Sequence, residues 1–180
     1  MAESGANGLT HLKLDRRLGL ADGTTSFYFR TRAALLRAVA ARVAELDTAD
    51  LRAVSESDAG TAPSALASMI MESASEPRAT RTRARYELLL HAGRDPELAA
   101  EFRENSAHFA ALHRDIVVRL QPGSEPPDDD LIDEQTFATI TFINGIMMGM
   151  AMGDRTIADA AQLDRLLSGI VAGVARSVST

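Results

Sequence analysis

Apolar residues recur every three or four positions along most of this chain, which is the period of an α-helix. The clearest stripe begins at Leu98 and continues through Phe102, Phe109, Leu112 and Ile116. The predicted helices cover residues 9–18, 24–29, 32–51, 63–75, 78–92, 96–120 and 131–153, with a last helix that Thr156 caps. Residues 55–62 and 121–130 have the glycine, proline and acidic residues of loops. The pattern therefore predicts an all-α protein.

Residues 19–37 place a turn, a very short helix and the start of a long helix close together. Gly19 can adopt the positive φ that ends a helix, and residues 9–18 before it form a predicted helix with Thr10 as N-cap. Gly23 opens the run TTSFYF, which is too short to be a stable helix alone. A helix, a glycine turn and a short helix of polar and aromatic residues predict a helix-turn-helix motif.

The spacing of this motif resembles the DNA-binding region of the tetracycline-repressor (TetR) family of bacterial transcriptional regulators. The matching positions are Leu9-Thr10, Gly19-Leu20, Gly23-Thr24, Phe29 and Ala34-Leu35-Leu36. Thr25 and Ser26 depart from the family, which usually has a larger apolar residue and a tyrosine there. The family also has a helix before the Leu-Thr pair, where this chain has MAESGANG. Either that helix is encoded upstream of Met1 or it has been lost.

The resemblance implies a homodimeric regulator made of two parts. Residues 1–47 would be the DNA-binding part, truncated at its N-terminus, and residues 48–180 the ligand-binding and dimerisation domain. The residues expected to contact DNA are Thr10, Thr24, Ser26, Phe27, Tyr28 and Arg32, with Thr10 and Arg32 on the phosphate backbone. Thr25 and Phe29 are expected in the core, since they lie four apart on the opposite side. A small molecule would release the DNA by favouring a different dimer geometry.

Charge is divided unevenly along the chain, whose net charge is −6. Residues 1–42 have seven basic and three acidic side chains, a net charge of +4, and the rest of the chain has a net charge of −10. A basic end on an acidic body is the electrostatic pattern that a DNA partner requires. The alternative is that these basic residues only solubilise two helices. Four arginines at positions 78, 81, 83 and 85 are interpreted as a solvated face rather than a second nucleic-acid patch.

Methionine and phenylalanine side chains are concentrated on the helices of residues 63–152, together with a few polar groups. Methionine adapts its shape to varied apolar guests, and polar groups orient them. We therefore predict a site for a small, largely apolar ligand inside this bundle. Its predicted residues are Met69, Tyr86, Phe102, Asn105, Phe109, Phe137 and Asn144. Ordinary core packing is the alternative for any single one of them.

The last two predicted helices have wide apolar faces and regularly spaced glycines. Residues 135–153 contain no charge, but Gln135, Asn144 and the absence of basic flanks favour a buried helix over a transmembrane one. Glycines four apart let another helix approach closely. In the TetR family, the last two helices pair with those of a second copy. The predicted dimer interface is Gly145, Gly149, Gly153, Leu163, Leu167, Gly169, Ile170, Gly173 and Val174.

Patterns typical of catalysis or metal binding are absent from the sequence. There is no Cys, no pair of histidines four apart, no HExxH, no G-x-S-x-G and no glycine-rich phosphate loop. We therefore expect no enzymatic activity, no cofactor and no bound metal. The lack of Cys suits a reducing cytoplasm, where we expect the protein to act. Two alternatives stay open: a ligand-binding helical dimer that no longer binds DNA, and an all-α enzyme.

Overall fold

The computed structural model describes residue 5 and residues 8–57, 64–121 and 128–178, with side chains up to residue 176. The described residues form eight helices and no strand, which confirms the all-α class. In chain order the helices are α1 (His11–Leu18), α2 (Thr24–Tyr28), α3 (Arg32–Glu56), α4 (Ala65–Glu72), α5 (Arg78–Ala92), α6 (Pro96–Arg119), α7 (Asp129–Ala151) and α8 (Ala160–Val178). Most of the N-terminal stub, the predicted helix start at Pro63 and most of both predicted loops lie outside the described residues.

Several helices begin and end where local sequence signals predict. The Thr10 hydroxyl oxygen accepts a hydrogen bond from Lys13 N at 3.3 Å, and Gly19 ends α1 with a φ of 67°. At the start of α3, the Thr31 hydroxyl oxygen accepts from Ala34 N at 3.1 Å. Each hydroxyl satisfies a backbone N–H that has no acceptor within its own helix. The predicted caps of α1 and α3 are confirmed.

The C-terminal end of α3 differs from the prediction. The helix continues to Glu56, whereas its apolar pattern weakens at residues 47–51. No glycine or proline interrupts residues 47–56, and both Leu51 and Val54 are buried. Tertiary packing of these two side chains therefore stabilises the helix beyond its own amphipathic pattern.

The predicted cap of α8 is also wrong. The helix begins at Ala160, and Asp159 is its cap, because Asp159 Oδ1 accepts a hydrogen bond from Gln162 N at 2.7 Å. Thr156 instead donates its hydroxyl to Asp154 Oδ1 at 2.6 Å. Aspartate and threonine are both good caps, so the residue type alone did not distinguish them.

Contacts within the chain divide it into two compact units. Unit 1 comprises Met1–Asp47 and Thr80–Asn105, and unit 2 comprises Thr48–Ala79 and Ser106–Thr180. The divisions fall within α3, α5 and α6. The unit that contains the predicted DNA-binding part thus also contains most of α5 and the first part of α6.

Unit 1 has an apolar core that α3, α5 and α6 build together. Its buried residues are Leu36, Ala40 and Val43 of α3, Leu88 and Ala92 of α5, and Leu98 of α6. Leu9 and Phe102 pack against this cluster and are partly buried. Apolar burial of this kind is the main source of stability for helices as short as α1.

Two of the four clustered arginines belong to a half-buried ion-pair network in unit 1. Arg81 Nε lies 3.1 Å from Asp47 Oδ1, and Arg85 Nε lies 2.7 Å from Asp47 Oδ2. Their side chains are only 18% and 16% exposed. The prediction that these arginines form a solvated face is therefore wrong for Arg81 and Arg85, because their charges are matched inside the protein.

Gln135 connects three parts of unit 2. Its Nε2 donates to the Val171 carbonyl oxygen on α8 at 2.8 Å, and its Oε1 accepts from Gln121 Nε2, just after α6, at 2.9 Å. Val117, Ile132 and Val171 form an apolar cluster in the same unit. The one fully buried amide of α7 is thus satisfied by its neighbours, as a buried polar group requires.

One side of α7 is buried and the other is exposed. The buried side is Ile132, Gln135, Thr136, Thr139, Ile143, Met147 and Met150. Phe137, Thr141, Asn144 and Gly145 lie on the exposed side. Within the described residues, no helix combines the length and the apolar character that crossing a membrane needs.

Candidate functional site

The carboxylate of Asp15 on α1 caps the N-terminus of α2. It accepts hydrogen bonds from Gly23 N at 2.9 Å and Thr25 N at 2.8 Å, and a third from the Thr25 hydroxyl. The Thr25 hydroxyl, followed by the two backbone donors, holds the pKa of the Asp15 carboxyl below its usual value. Asp15 has no exposed surface, so a charged cap is fixed inside the turn between the two helices.

His11, one turn before Asp15 on α1, holds the other end of α2. His11 Nε2 lies 2.6 Å from the carbonyl oxygen of Phe29, the residue that ends the short helix. Because a carbonyl only accepts, Nε2 must carry the proton and donate. Two side chains of α1 therefore hold α2 at both ends, which supplies the stability that five residues cannot supply alone.

The outer face of α2 presents two aromatic rings to solvent. Phe27 is 78% and Tyr28 72% exposed, and their rings meet edge to face with centroids 5.3 Å apart. Thr25 is buried and Phe29 is half-buried on the inner side, as the sequence indicates. The structure thus leaves the predicted residues Ser26, Phe27 and Tyr28 of α2 exposed, whereas Thr24 is half-buried.

Two hydroxyl groups on α2 already donate to local backbone. Thr24 Oγ1 donates to the Ala21 carbonyl oxygen at 2.7 Å, and Ser26 Oγ donates to the Gly23 carbonyl oxygen at 2.8 Å. In this conformation their oxygens offer acceptors to a partner, while the Tyr28 hydroxyl, with its exposed ring, can donate. The remaining predicted contacts, Thr10 and Arg32, are half-buried at the starts of α1 and α3.

Asp15 and His11 are functional candidates that the sequence analysis did not single out. The available signal was their spacing: two polar residues four apart on α1 lie on one helix face and precede a glycine turn. A polar pair on the face that meets a short helix is a pattern that could have identified both.

The predicted ligand residues do not form one cluster within a single unit. Tyr86, Phe102 and Asn105 belong to unit 1, and Met69, Phe109, Phe137 and Asn144 belong to unit 2. Tyr86 is buried, and burial raises the pKa of its phenol. Asn105, Asn144 and Phe137 are exposed, so the expectation that they lie inside a bundle is wrong for the protomer. The role of the whole set in ligand binding stays a prediction.

A groove lies between α6 and α7 in unit 2. It has a volume of about 360 Å³ and is lined by Ala110, Ala111 and Arg114 of α6 and by Asp133, Thr136, Phe137 and Ile140 of α7. Phe137 is the one predicted ligand residue among them. Near this groove on α6, the rings of Phe109 and buried His113 lie with their centroids 4.8 Å apart and their planes tilted by 41°. The sequence analysis did not consider His113 as core.

Burial lowers the pKa of His113 to about 4, so this side chain is neutral at pH 7. Among the described residues, the hydroxyl oxygens of Thr136 and Thr139 are buried without a hydrogen-bond partner. Unpartnered buried groups are uncommon and call for an explanation. Within the same described ranges, no group of three or more His, Asp or Glu side chains is arranged to hold a metal ion.

The predicted interface glycines fall into two kinds. A Cβ built at Gly145, Gly169 or Gly173 meets no atom of the described chain within 4 Å, so protomer packing does not require glycine there. Gly153 instead needs glycine for its φ of 97°, and a Cβ at Gly149 would lie 3.2 Å from Asp154 Oδ2. These two glycines allow the turn that ends α7. In this turn, the backbone N–H of Asp154 donates to the Gly149 carbonyl oxygen at 2.9 Å.

The predicted apolar interface residues also fall into two groups, buried and half-buried. Leu163 and Leu167 are buried within the protomer, which corrects their assignment, because a second copy cannot reach their side chains. Ile170 and Val174 are half-buried on α8 and remain candidates. On the same helix, Asp164 faces inward and accepts a hydrogen bond from Ser64 N at 2.6 Å, which ties the start of α4 to α8.

Comparison with known proteins identifies a family through the C-terminal two thirds of the chain. The family described as "Tetracyclin repressor-like, C-terminal domain" matches residues 57–173. No curated protein matches the chain, and no solved structure matches it either. The matched range contains the groove, α7 and most of α8, and it lies outside the helix-turn-helix motif. The chain therefore belongs to the tetracycline repressor-like family, whose members are ligand-responsive transcription regulators rather than enzymes.

Proposed function

We propose that this protein is a homodimeric, DNA-binding transcriptional regulator of the cytoplasm, and that a small ligand in unit 2 releases it from its operator. The single observation that carries the proposal is the fixed position of α2. Asp15 and His11 hold both ends of this helix, while Phe27 and Tyr28 on its outer face are largely exposed.

The exposure of the two rings favours a binding role for α2. Burying an aromatic side chain of this size contributes roughly 1.5–3 kcal/mol, so leaving two adjacent rings in water forgoes stability unless a partner covers them. Double-stranded DNA suits them, because a Phe ring packs on thymine methyl groups and a Tyr hydroxyl donates to phosphate. The net charge of +4 on residues 1–42 adds attraction for phosphate.

The open space at three glycines of α7 and α8 supports dimerisation through these helices. Gly145, Gly169 and Gly173 are not needed by the protomer, yet each leaves a place where another helix backbone could approach closely. A two-fold dimer would present two α2 helices to two half-sites about 34–36 Å apart or a multiple of that distance. Ligand binding would then favour a dimer geometry that fits this spacing poorly.

The test is DNA binding by the full chain. DNA fragments that bind are first selected from the genome of the organism that encodes the protein, and their affinity is then measured by fluorescence anisotropy. We expect Tyr28→Ala to weaken binding to the selected fragment by about tenfold, in the range of a lost base or phosphate contact. Arg32→Ala should weaken binding to all sequences and reduce the salt slope by about one. Arg52→Ala, which removes an exposed arginine from α3, the helix that also contains Arg32, is the matched control and should change neither.

A second candidate function is a ligand-binding dimer that does not bind DNA. It is favoured by one observation, that the family match covers residues 57–173 and not the helix-turn-helix motif. If the chain selects no fragment above non-specific binding but still dimerises, this second function replaces the first.

A further inference from the structure

The groove between α6 and α7 has the dimensions of a small-molecule site. Its volume of about 360 Å³ lies at the lower end of the range for ligand pockets. Ala110, Ala111 and Ile140 give it apolar walls, and Thr136 contributes a hydroxyl group. A guest of this size would need an apolar body and few polar groups.

Thr136 is a buried polar side chain that the groove leaves unpaired. The residue is 6% exposed and lines the groove, and its Oγ1 has no hydrogen-bond partner within the described chain. An unpaired buried hydroxyl is unfavourable by about 1–3 kcal/mol. A guest with an N–H or O–H group could satisfy it, since a hydroxyl oxygen accepts as well as donates.

Charge around the groove favours a positively charged guest. Arg114 Nε donates to Asp133 Oδ1 at 2.9 Å, and the same guanidinium also bonds Asp129. One positive charge is thus shared by two carboxylates, and exposed Asp130 and Glu134 add negative charge on the first two turns of α7. The positive end of the helix dipole, about half a charge, does not offset this excess. An anion would have to compete with the carboxylates that Arg114 already holds, whereas a cation can share Asp133 with Arg114, whose Nε bonds Oδ1 of that carboxylate.

Two further groups are compatible with a cation. Phe137 lines the groove and the residue is 71% exposed, so its ring is accessible to a cation near Asp133 on the same helix. His113, next to Arg114 on α6, is neutral at pH 7 because burial lowers its pKa to about 4. It therefore adds no positive charge that would repel the guest.

We propose that the groove between α6 and α7 binds a small organic cation, a primary or secondary ammonium group on an apolar body. The body packs against Ala110, Ala111 and Ile140. The ammonium group pairs with Asp133 beside the ring of Phe137, and one of its N–H groups donates to Thr136 Oγ1. This inference rests on the proposed function only in that unit 2 binds a small ligand.

The experiment uses three probes of equal shape and different charge: 4-phenylbutylamine, 4-phenylbutan-1-ol and 4-phenylbutanoate. Their binding to the full chain is measured by titration calorimetry at pH 7 without DNA. We expect the amine to bind about tenfold more tightly than the alcohol and the carboxylate to bind most weakly, because a hydrogen bond to a charged group exceeds a neutral one by roughly 1 kcal/mol or more. The preference for the amine should shrink at high salt.

Variants of two acids locate the site. Asp133→Asn should remove the preference of the amine over the alcohol, and Asp115→Asn, an exposed acid of α6 that does not line the groove, should retain it. Any of three results would overturn the proposal: the amine and the alcohol bind equally, the two variants have equal effects, or the amine does not bind at millimolar concentration. Because no DNA is present, a failure of operator binding leaves the result unaffected, and the two failures are distinguishable.

Discussion

In unit 1, the buried carboxylate of Asp15 has three hydrogen-bond donors, whereas in unit 2 the buried hydroxyl oxygens of Thr136 and Thr139 have no hydrogen-bond partner among the described residues. The satisfied group holds α2 in one position before any partner arrives. The unsatisfied groups leave the interior of unit 2 without its full set of hydrogen bonds. The contrast suggests that one unit is arranged to present a fixed surface and the other to be completed by a guest.

The most sensitive test of this contrast is to remove the cap of α2. Asp15→Ala leaves Gly23 N and Thr25 N without their acceptor, so α2 should lose its fixed position. We expect operator affinity to fall about hundredfold, because a buried charge-assisted cap is lost together with the helix it orders. Anisotropy measures the loss.

Asp22→Ala is the control for this variant, because that carboxylate is exposed and pairs with Arg16 at 3.5 Å. It should bind DNA almost normally, as exposed ion pairs contribute little. If Asp15→Ala also retained affinity, the cap would not be what orders α2.

The next prediction concerns His113 and acid. Its ordinary pKa is 6.5 and its folded pKa is about 4, so between these values the unfolded chain binds a proton that the folded chain does not. The free energy of unfolding should therefore fall by on the order of 3 kcal/mol as pH drops from 6.5 to 4. Above pH 6.5 this stabilisation is fully present. Urea unfolding at several pH values measures it.

His113→Leu should remove that part of the pH dependence, while His108→Gln, an exposed histidine on the same helix, should retain it. An unchanged pH profile in the His113→Leu protein would show that other groups cause the acid sensitivity.

A smaller effect is expected from Gly169→Leu, which changes the exposed surface of unit 2 and leaves its interior unchanged. A Cβ at Gly169 meets no described atom within 4 Å, so the protomer should fold normally while dimer affinity falls about tenfold or more. Sedimentation velocity measures the association. Gly149→Leu is the comparison, since its Cβ would lie 3.2 Å from Asp154 Oδ2 and strain the protomer itself. A Gly169→Leu dimer as tight as the original would move the interface away from α8.

The smallest effect distinguishes the two buried threonines. Thr136→Val and Thr139→Val each replace an unpaired hydroxyl with a methyl group of similar shape, so each should raise the free energy of unfolding by about 1 kcal/mol. Only Thr136 lines the groove. Binding of 4-phenylbutylamine should therefore weaken in Thr136→Val alone, and equal weakening in both variants would argue against the placement of the ligand.

Features fixed by local signals could be read from the sequence. The start of α1 at Thr10, its end at Gly19 and the start of α3 at Thr31 each depend on one side chain or one φ angle within a few residues. The short helix α2 was also predictable, because a glycine turn precedes it and a threonine begins the next helix. The charges of residues 1–42 need no fold to be counted.

Features that depend on neighbours distant in sequence were not predictable. The exposed side of α7 could not be identified, because residues 135–153 lack charges and either side could face inward, so Phe137 and Asn144 were expected inside. The end of α3 depends on the burial of Leu51 and Val54. The burial of His113 depends on the packing of α6, which a lone histidine in the sequence does not reveal.

Gln135 has a consequence for how unit 2 opens. Its amide bonds Val171 on α8 and Gln121 beyond α6, so neither contact can loosen without leaving one end of a buried amide unpaired. In hydrogen exchange, the amides of α7, α8 and the last turns of α6 should therefore become exchangeable together, with one common opening free energy. A ligand that moves α6 against α7 would disturb the hydrogen bonds of the same Gln135 amide. Its binding should therefore change the hydrogen-exchange rates of α8.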